Sequence, residues 1–172
     1  MKAIMISISP QYIEKILNGG KTIEIRKTTP KCELPCKVYI YCTNGKKLYK
    51  YVSNFYEDLL NGKVVAEFTL NKVEILERDL NDWLPKNRYD VSNDLLKNIN
   101  LNQNELWNYG QGKILYAWHI DDLKIYDKPK ELSEFGVGKV KVDCGYGNYN
   151  IYNKILKKPP QSYCYVKELE NE

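Results

Sequence analysis

The first 26 residues constrain the fold more than any other part of the chain, because they encode three successive elements. AIMISI at 3–8 is a short apolar strand pattern, after which Ser9 suits a helix N-cap and Pro10 the first helical position. The glycine pair at 19–20 ends that helix, since glycine tolerates the left-handed conformation of a C-terminal cap. TIEIR at 22–26 alternates polar and apolar residues, which predicts a strand with one buried face.

Further strand patterns lie at 36–43, 63–76, 113–127 and 159–166. A polar interval separates the second of these from the third. Short strands of mixed spacing with a helix after the first predict an α+β fold built on a small, partly closed barrel. The length of 172 residues predicts one domain over 1–172. The polar interval 77–111 has helix candidates near 91–98 and 103–109, and we expect it to be a helical insertion outside the barrel.

Two other stretches carry weaker signals. The segment 46–60 is ambiguous, although FYEDLL at its end favours a helix. Residues 136–150 are rich in glycine, tyrosine and asparagine, which predicts a mobile loop.

Composition limits the compartment and the partners. The net charge of +4 permits a nucleic-acid partner without requiring one. Only three of the 26 basic residues are arginine, while Lys, Asn, Ile and Tyr are abundant. Because those four residues have AT-rich codons, we infer a bacterium or one of its viruses. No stretch approaches the ~20 apolar residues of a membrane span, and MKAIMISIS lacks the features of a signal peptide. We therefore expect a cytoplasmic protein without a membrane partner.

The cysteines and the single histidine do not form a recognisable ligand set. Cys32 and Cys36 have loose metal-like spacing, but no second CxxC pair answers them. Five cysteines cannot all pair, so we expect reduced thiols rather than a disulfide framework or a structural zinc. His119 lies in an apolar strand pattern, which favours a core residue over a catalytic base. We predict no metal and no cofactor.

The segment GGKTIEIR resembles a known family motif. It matches the pattern G-x-K-x-x-E-x-R of the ASCH domain family, and three other blocks also resemble ASCH proteins of bacteria and their phages. In chain order the four blocks are SISPQYIEKILNGGKTIEIRKTTPK, GKVVAEFTL, YAWHIDDLKIYDKPKELSEF and PPQSYCYV. They are spread along the chain from residue 7 to residue 166, and the interval 77–111 and the glycine-rich stretch lie between them. The resemblance implies a PUA-like mixed β-barrel with flanking helices, related to domains that bind RNA, with the motif lining a cleft.

The chemistry of the motif suggests what such a cleft recognises. Glu24 lies between Lys21 and Arg26, and both cations favour its ionised form. An ionised carboxylate only accepts hydrogen bonds, which suits the exocyclic amine of a base, while the cations can hold a phosphate or a base carbonyl. Bases in single strands also stack on aromatic rings, for which Trp83, Trp107 and Trp118 are available. The candidate nucleic-acid-binding residues are Gly19, Lys21, Thr22, Glu24, Arg26 and Trp118.

These assignments have simpler alternatives. The polar side of the 22–26 strand could be an ordinary solvated face whose ion pair contributes ~0–1 kcal/mol, and Trp118 could be a packing residue. The interval 77–111 could be the contact surface of a protein-interaction module. We nevertheless expect single-stranded RNA or a nucleotide as the partner; a protein partner is not specified by the sequence.

An enzymatic function is the other alternative, with Lys21 and Glu24 as catalytic residues. Some small ASCH proteins hydrolyse 4-acetylcytidine with a lysine, a threonine nucleophile and a glutamate. The lysine corresponds to Lys21, but Glu24 stands in the place of the threonine, and Thr22 lies ~6.6 Å away along the strand. We therefore expect no such amidase activity. A ribonuclease would need Lys21 as a base with a depressed pKa, and a neighbouring carboxylate opposes that depression.

Overall fold

A computed structural model describes residues 3–53, 56–81, 87–138, 140–143, 148–151 and 154–169. These described residues form three α-helices: α1 (Pro10–Leu17), α2 (Asn93–Ile99) and α3 (Gln103–Gly110). The strands are β1 (Ala3–Ile8), β2 (Ile23–Arg26), β3 (Cys36–Cys42), β4 (Tyr49–Ser53), β5 (Tyr56–Leu59), β6 (Val64–Leu70), β7 (Val73–Leu76), β8 (Leu115–His119), β9 (Asp121–Lys130), β10 (Phe135–Val137), β11 (Val140–Asp143), β12 (Asn148–Ile151), β13 (Lys154–Ile155) and β14 (Tyr163–Glu168). The predicted α+β class is confirmed.

The central sheet has seven strands in the order β13-β10-β14-β1-β3-β6-β9. β1 runs parallel to β3, while its other neighbour, β14, is antiparallel. A parallel pair needs a crossover connection, and here that connection contains α1 and β2. β2 does not join the central sheet. It pairs with β8, which also pairs with β7, in a separate three-stranded sheet.

Two apolar cores explain how the three-stranded sheet is held. One core lies between α1, strands β1, β3 and β6, and Trp118 of β8. The other packs Ile23 and Ile25 of β2 against residues of α2 and α3, including Ile99 and Leu106. Both faces of the three-stranded sheet are therefore covered, one by the central sheet with α1 and the other by the helices of the 77–111 interval.

Two weaker predictions from the sequence are wrong. The part of FYEDLL that the structure describes forms β5, which pairs with β4 in an antiparallel hairpin instead of forming a helix. A helix of six residues has too few hydrogen bonds to be stable without packing. The stretch 136–150 is also not a simple loop, because β11 and β12 pair within it. The two described helices of the 77–111 interval lie close to the predicted positions. None of the described helices is long and apolar enough to cross a membrane.

Candidate functional site

A cavity of about 190 Å³ lies where α1, β2 and α3 meet. It contains the charged part of the sequence motif together with residues that the motif does not include. The lining consists of Ser7, Ile8, Ser9, Tyr12, Lys21, Glu24, Ile25, Arg26, Leu101, Glu105 and Tyr109.

Burial sets the charged residues of this cavity apart. Among the polar and charged residues that the structure describes, only Lys21 and Glu24 are buried, with 3% and 7% of their surface exposed. Strand register gives the reason. Glu24 lies opposite Trp118 across the β2–β8 pair, and opposite residues of an antiparallel pair project from the same face. Because Trp118 belongs to the core beneath the central sheet, the polar face of β2 is buried. The alternative of an ordinary solvated strand face is therefore wrong.

Glu24 lies between two cations. Its Oε2 is 3.4 Å from Lys21 Nζ, and its Oε1 is 3.6 Å from Arg26 Nη1. Each carboxylate oxygen thus faces a different positive charge. Both distances exceed the 2.7–2.9 Å of a tight charge-assisted hydrogen bond. The carboxylate therefore retains acceptor capacity toward the cavity.

Lys21 also connects two parts of the fold. Its ammonium donates a hydrogen bond to the carbonyl of Ile99, at the end of α2, with an Nζ–O distance of 2.8 Å. It lies 5.6 Å from the centre of the Tyr12 ring, within the range of a cation–π contact. Burial lowers the pKa of Lys21 below its usual range, although Glu24 opposes the shift. The neighbouring carboxylate opposes the depression, as the sequence indicates, but the desolvation of the ammonium outweighs the attraction.

Arg26 ties β2 to the central sheet. Its Nη1 donates to the carbonyl of Ser7 in β1 at 3.1 Å, and its Nη2 donates to the carbonyl of Ser162, just before β14. A guanidinium has five N–H donors in a fixed fork, so these two bonds leave further donors. Arg26 therefore has a structural role in addition to any role toward a ligand.

Gly19 and Thr22, the other two candidates from this segment, lie outside the cavity. Gly19 adopts a φ of +77° just after α1, and this left-handed conformation explains why glycine suits the position. Thr22 is exposed and does not belong to the lining. Its backbone N–H and carbonyl bond to Asn98 and Ile120, which holds β2 in place. Of the predicted site residues, the structure thus brings together Lys21, Glu24 and Arg26 at the cavity.

The aromatic residues of the cavity are not those that the sequence suggested. Trp118 is fully buried, so its ring is not available to stack on a base, and the structure supports its alternative interpretation as a packing residue. Trp107 packs against the core formed by α2 and α3, and Trp83 lies outside the described residues. Tyr12 and Tyr109 line the cavity instead. No motif marks Tyr109, because it reaches the cavity from α3, far along the chain from GGKTIEIR.

Tyr109 stands at the edge of the cavity, with 39% of its surface exposed. Lys27 Nζ lies 4.8 Å from the centre of its ring. Burial raises the pKa of the Tyr109 hydroxyl, and the nearby charge of Arg26 opposes that shift. The hydroxyl end thus lies close to the charged cluster, while part of the ring remains accessible from solvent.

His119 lies at the end of β8 and does not line the cavity. Its Nε2 is 2.5 Å from Oε1 of Glu74, a carboxylate that also accepts a hydrogen bond from Lys72. The histidine is half-buried and has a hydrogen-bond partner. His119 is therefore hydrogen-bonded but partly exposed, with 24% of its side chain accessible, rather than the core residue that the sequence favoured.

The fold is similar to that of several solved structures. A crystal structure of ASCH from Zymomonas mobilis superposes with a TM-score of 0.57 over 96% of this chain and 88% of that chain, at 19% sequence identity. A tyrosine-to-phenylalanine mutant of that protein gives 0.55 over 97% and 91%, and a serine-to-alanine mutant gives 0.54 over 96% and 89%, both at 19% identity. The chain has an ASCH-like fold. No protein-family model and no curated protein matches the sequence.

The segment GGKTIEIR occupies the α1–β2 junction, and its three charged side chains meet at the cavity. At this level of identity the comparison establishes the architecture only, so any ligand must be argued from the cavity itself.

Proposed function

We propose that this chain binds single-stranded RNA or a nucleotide, with one base in the cavity bordered by Lys21, Glu24 and Arg26. The observation that carries the proposal is Glu24, a buried carboxylate at a cavity with a cation on either side. An ionised carboxylate accepts hydrogen bonds from an exocyclic amine, and the unused N–H groups of the cations can donate to a ring nitrogen or a carbonyl. Nucleobases present both kinds of group on one edge.

The size and walls of the cavity support the same class of ligand. Its volume of about 190 Å³ is below the ~300–1,000 Å³ of pockets that enclose drug-sized molecules. A single base ring suits that space better than a complete nucleotide. Tyr12 and Tyr109 line the cavity, and base–aromatic stacking is the usual way in which proteins hold unpaired bases.

A hydrolase acting on RNA or on a modified nucleoside such as 4-acetylcytidine is the second candidate. The observation that favours it is the lowered pKa of Lys21, because a general base must be available in its neutral form. Against the amidase variant, Thr22 is exposed and outside the cavity, and Glu24 occupies the place of the family's threonine. Binding of a base requires neither a neutral lysine nor a nucleophile, so it remains the first proposal.

The test uses Tyr109, because substituting Lys21 or Arg26 would also break contacts that hold the fold. Labelled single-stranded RNA is titrated with the parent chain and with Tyr109→Ala, and binding is followed by fluorescence anisotropy. We expect the variant to bind about 1–3 kcal/mol more weakly, the range for one base–aromatic stack. Tyr49→Ala is the matched control, since Tyr49 is 41% exposed and lines a different pocket.

Equal affinity of the parent and Tyr109→Ala at both low and moderate salt would contradict the proposal, as would equal losses in the two tyrosine variants. The same reactions are analysed by chromatography for shortened RNA. Cleavage that disappears in Lys21→Met, with the circular dichroism spectrum preserved, would favour the hydrolase instead.

A further inference from the structure

A second concavity adjoins the cavity and extends away from it. This open groove of about 740 Å³ runs between α1 and the helices α2 and α3. It shares Leu101 and Glu105 with the cavity, so the two spaces meet at the start of α3. Helices of the 77–111 interval supply most of its walls.

The acidic group of the groove is already occupied within the fold. Glu105 belongs to a capping box: its Oε2 accepts a hydrogen bond from the N–H of Asn102 at 2.8 Å, and its own N–H donates to Asn102 Oδ1 at 3.0 Å. Its carboxylate therefore faces the first turn of α3, where the helix dipole also favours a negative charge.

The two lysines of the groove are more available. Lys97 has 81% of its side chain exposed, and its ion pair with Asp94 has an N–O distance of 4.0 Å, which contributes little in water. Lys15 Nζ is 3.4 Å from the carbonyl of Asn100 and 5.7 Å from the centre of the Tyr12 ring. Lys15 thus stands near the cavity wall and Lys97 further along the groove. Both can pair with phosphates.

The cavity is too small to enclose more than one base, so the rest of a polynucleotide would lie outside it. If one base fills the cavity, its sugar and the neighbouring nucleotides must leave through the opening. The groove shares Leu101 and Glu105 with the cavity and presents two lysines whose contacts within the fold are weak. We propose that it holds the sugar–phosphate backbone of the nucleotides next to the bound base, so that the ligand is a single-stranded polynucleotide rather than a free nucleoside or nucleotide. This inference rests on the proposed function and gives α2 and α3 a binding role.

The test compares ligands of different length on the full chain. A nucleoside monophosphate and a single-stranded RNA hexamer are titrated at several salt concentrations against the parent, Lys97→Ala and Lys97→Glu. We expect the hexamer to bind more tightly than the monophosphate. Lys97→Ala should make the negative slope of log affinity against log salt shallower by about 0.7, the effect of one lost phosphate contact on a single strand. Lys97→Glu should weaken hexamer binding severalfold and leave monophosphate binding unchanged.

Lys167→Glu is the control, because Lys167 is an exposed lysine on β14 and gives the same change in net charge outside the groove. The groove proposal is overturned if the hexamer binds no better than the monophosphate, or if the two charge reversals weaken hexamer binding equally. In both cases a loss of affinity in Tyr109→Ala would leave the proposed function standing. If neither ligand binds the parent chain, the proposed function itself is wrong.

Discussion

Replacing Glu24 with glutamine keeps the shape of a buried side chain and removes the charge that two cations face. Lys21 Nζ and Arg26 Nη1 lie 3.4 Å and 3.6 Å from its oxygens, and all three side chains are largely withdrawn from water. We expect Glu24→Gln to lower the free energy of unfolding by about 3–5 kcal/mol at pH 7, the usual cost of removing one partner from a buried ion pair.

The geometry supports this magnitude. At an effective dielectric constant of about 20, two unit charges ~3.5 Å apart attract each other by roughly 5 kcal/mol. The carboxylate has two such neighbours, and the desolvation of all three groups offsets part of the attraction. What remains after the substitution is a buried ammonium that donates a hydrogen bond to the carbonyl of Ile99. A loss of several kcal/mol is a large part of the 5–15 kcal/mol that stabilises a typical domain.

The pH dependence follows from Lys21. Burial already lowers its pKa in the folded chain and Glu24 opposes that shift, so removing Glu24 lowers the pKa of Lys21 further. Between this lower pKa and the unfolded value near 10.5, the unfolded chain binds more protons than the folded chain. Stability therefore rises with pH in that window. Because the window of the variant begins at a lower pH, its deficit relative to the parent should shrink as the pH rises from about 7 towards about 10.

Urea titrations followed by tryptophan fluorescence at both ends of this pH range measure the effect, provided that the m-values of parent and variant agree. Asp94→Asn is the matched control. Asp94 and Lys97 have the same three-residue spacing as Lys21 and Glu24, but their side chains are 92% and 81% exposed, so their pair should contribute at most about 1 kcal/mol. A loss in Glu24→Gln no larger than that in Asp94→Asn, or a deficit that grows with pH, would refute the reasoning.

The same titrations check two further expectations. Ser9 is the N-cap residue of α1 but makes no capping hydrogen bond through its side chain, so Ser9→Ala should leave the free energy of unfolding nearly unchanged. Ser92→Ala removes the bond to the N–H of Leu95 at 3.1 Å and should cost about 0.5–2 kcal/mol. Equal losses in the two variants would contradict this expectation. Gly110→Ala should destabilise the fold by about 1–3 kcal/mol despite the better helix propensity of alanine, because an added Cβ would lie 1.9 Å from the buried Tyr89 hydroxyl. Unchanged stability would show that the contact between α3 and Tyr89 can relax.

Local signals were sufficient for the elements around the motif. A serine and a proline begin α1 at Pro10, and Gly19 follows its end with φ +77°. Period-two alternation predicted β2 and the burial of Ile23 and Ile25. These features depend on backbone preferences and side-chain periodicity over a few neighbouring residues, so the local sequence is enough to predict them. The sequence also predicted that Lys21, Glu24 and Arg26 lie close together, because three residues within a turn and a short strand cannot lie far apart.

Packing between distant segments decided the rest. Alternation in β2 divides its residues into two faces, but it does not tell whether the polar face meets water. That face is buried because register sets Glu24 opposite Trp118, under the central sheet. The same burial lowers the pKa of Lys21 although Glu24 opposes the shift, since desolvation depends on every atom nearby and a charged neighbour is only one of them. Tyr109 joins the cavity only because α3 packs against the three-stranded sheet, and contacts between segments so far apart in the chain leave no periodic trace in the sequence.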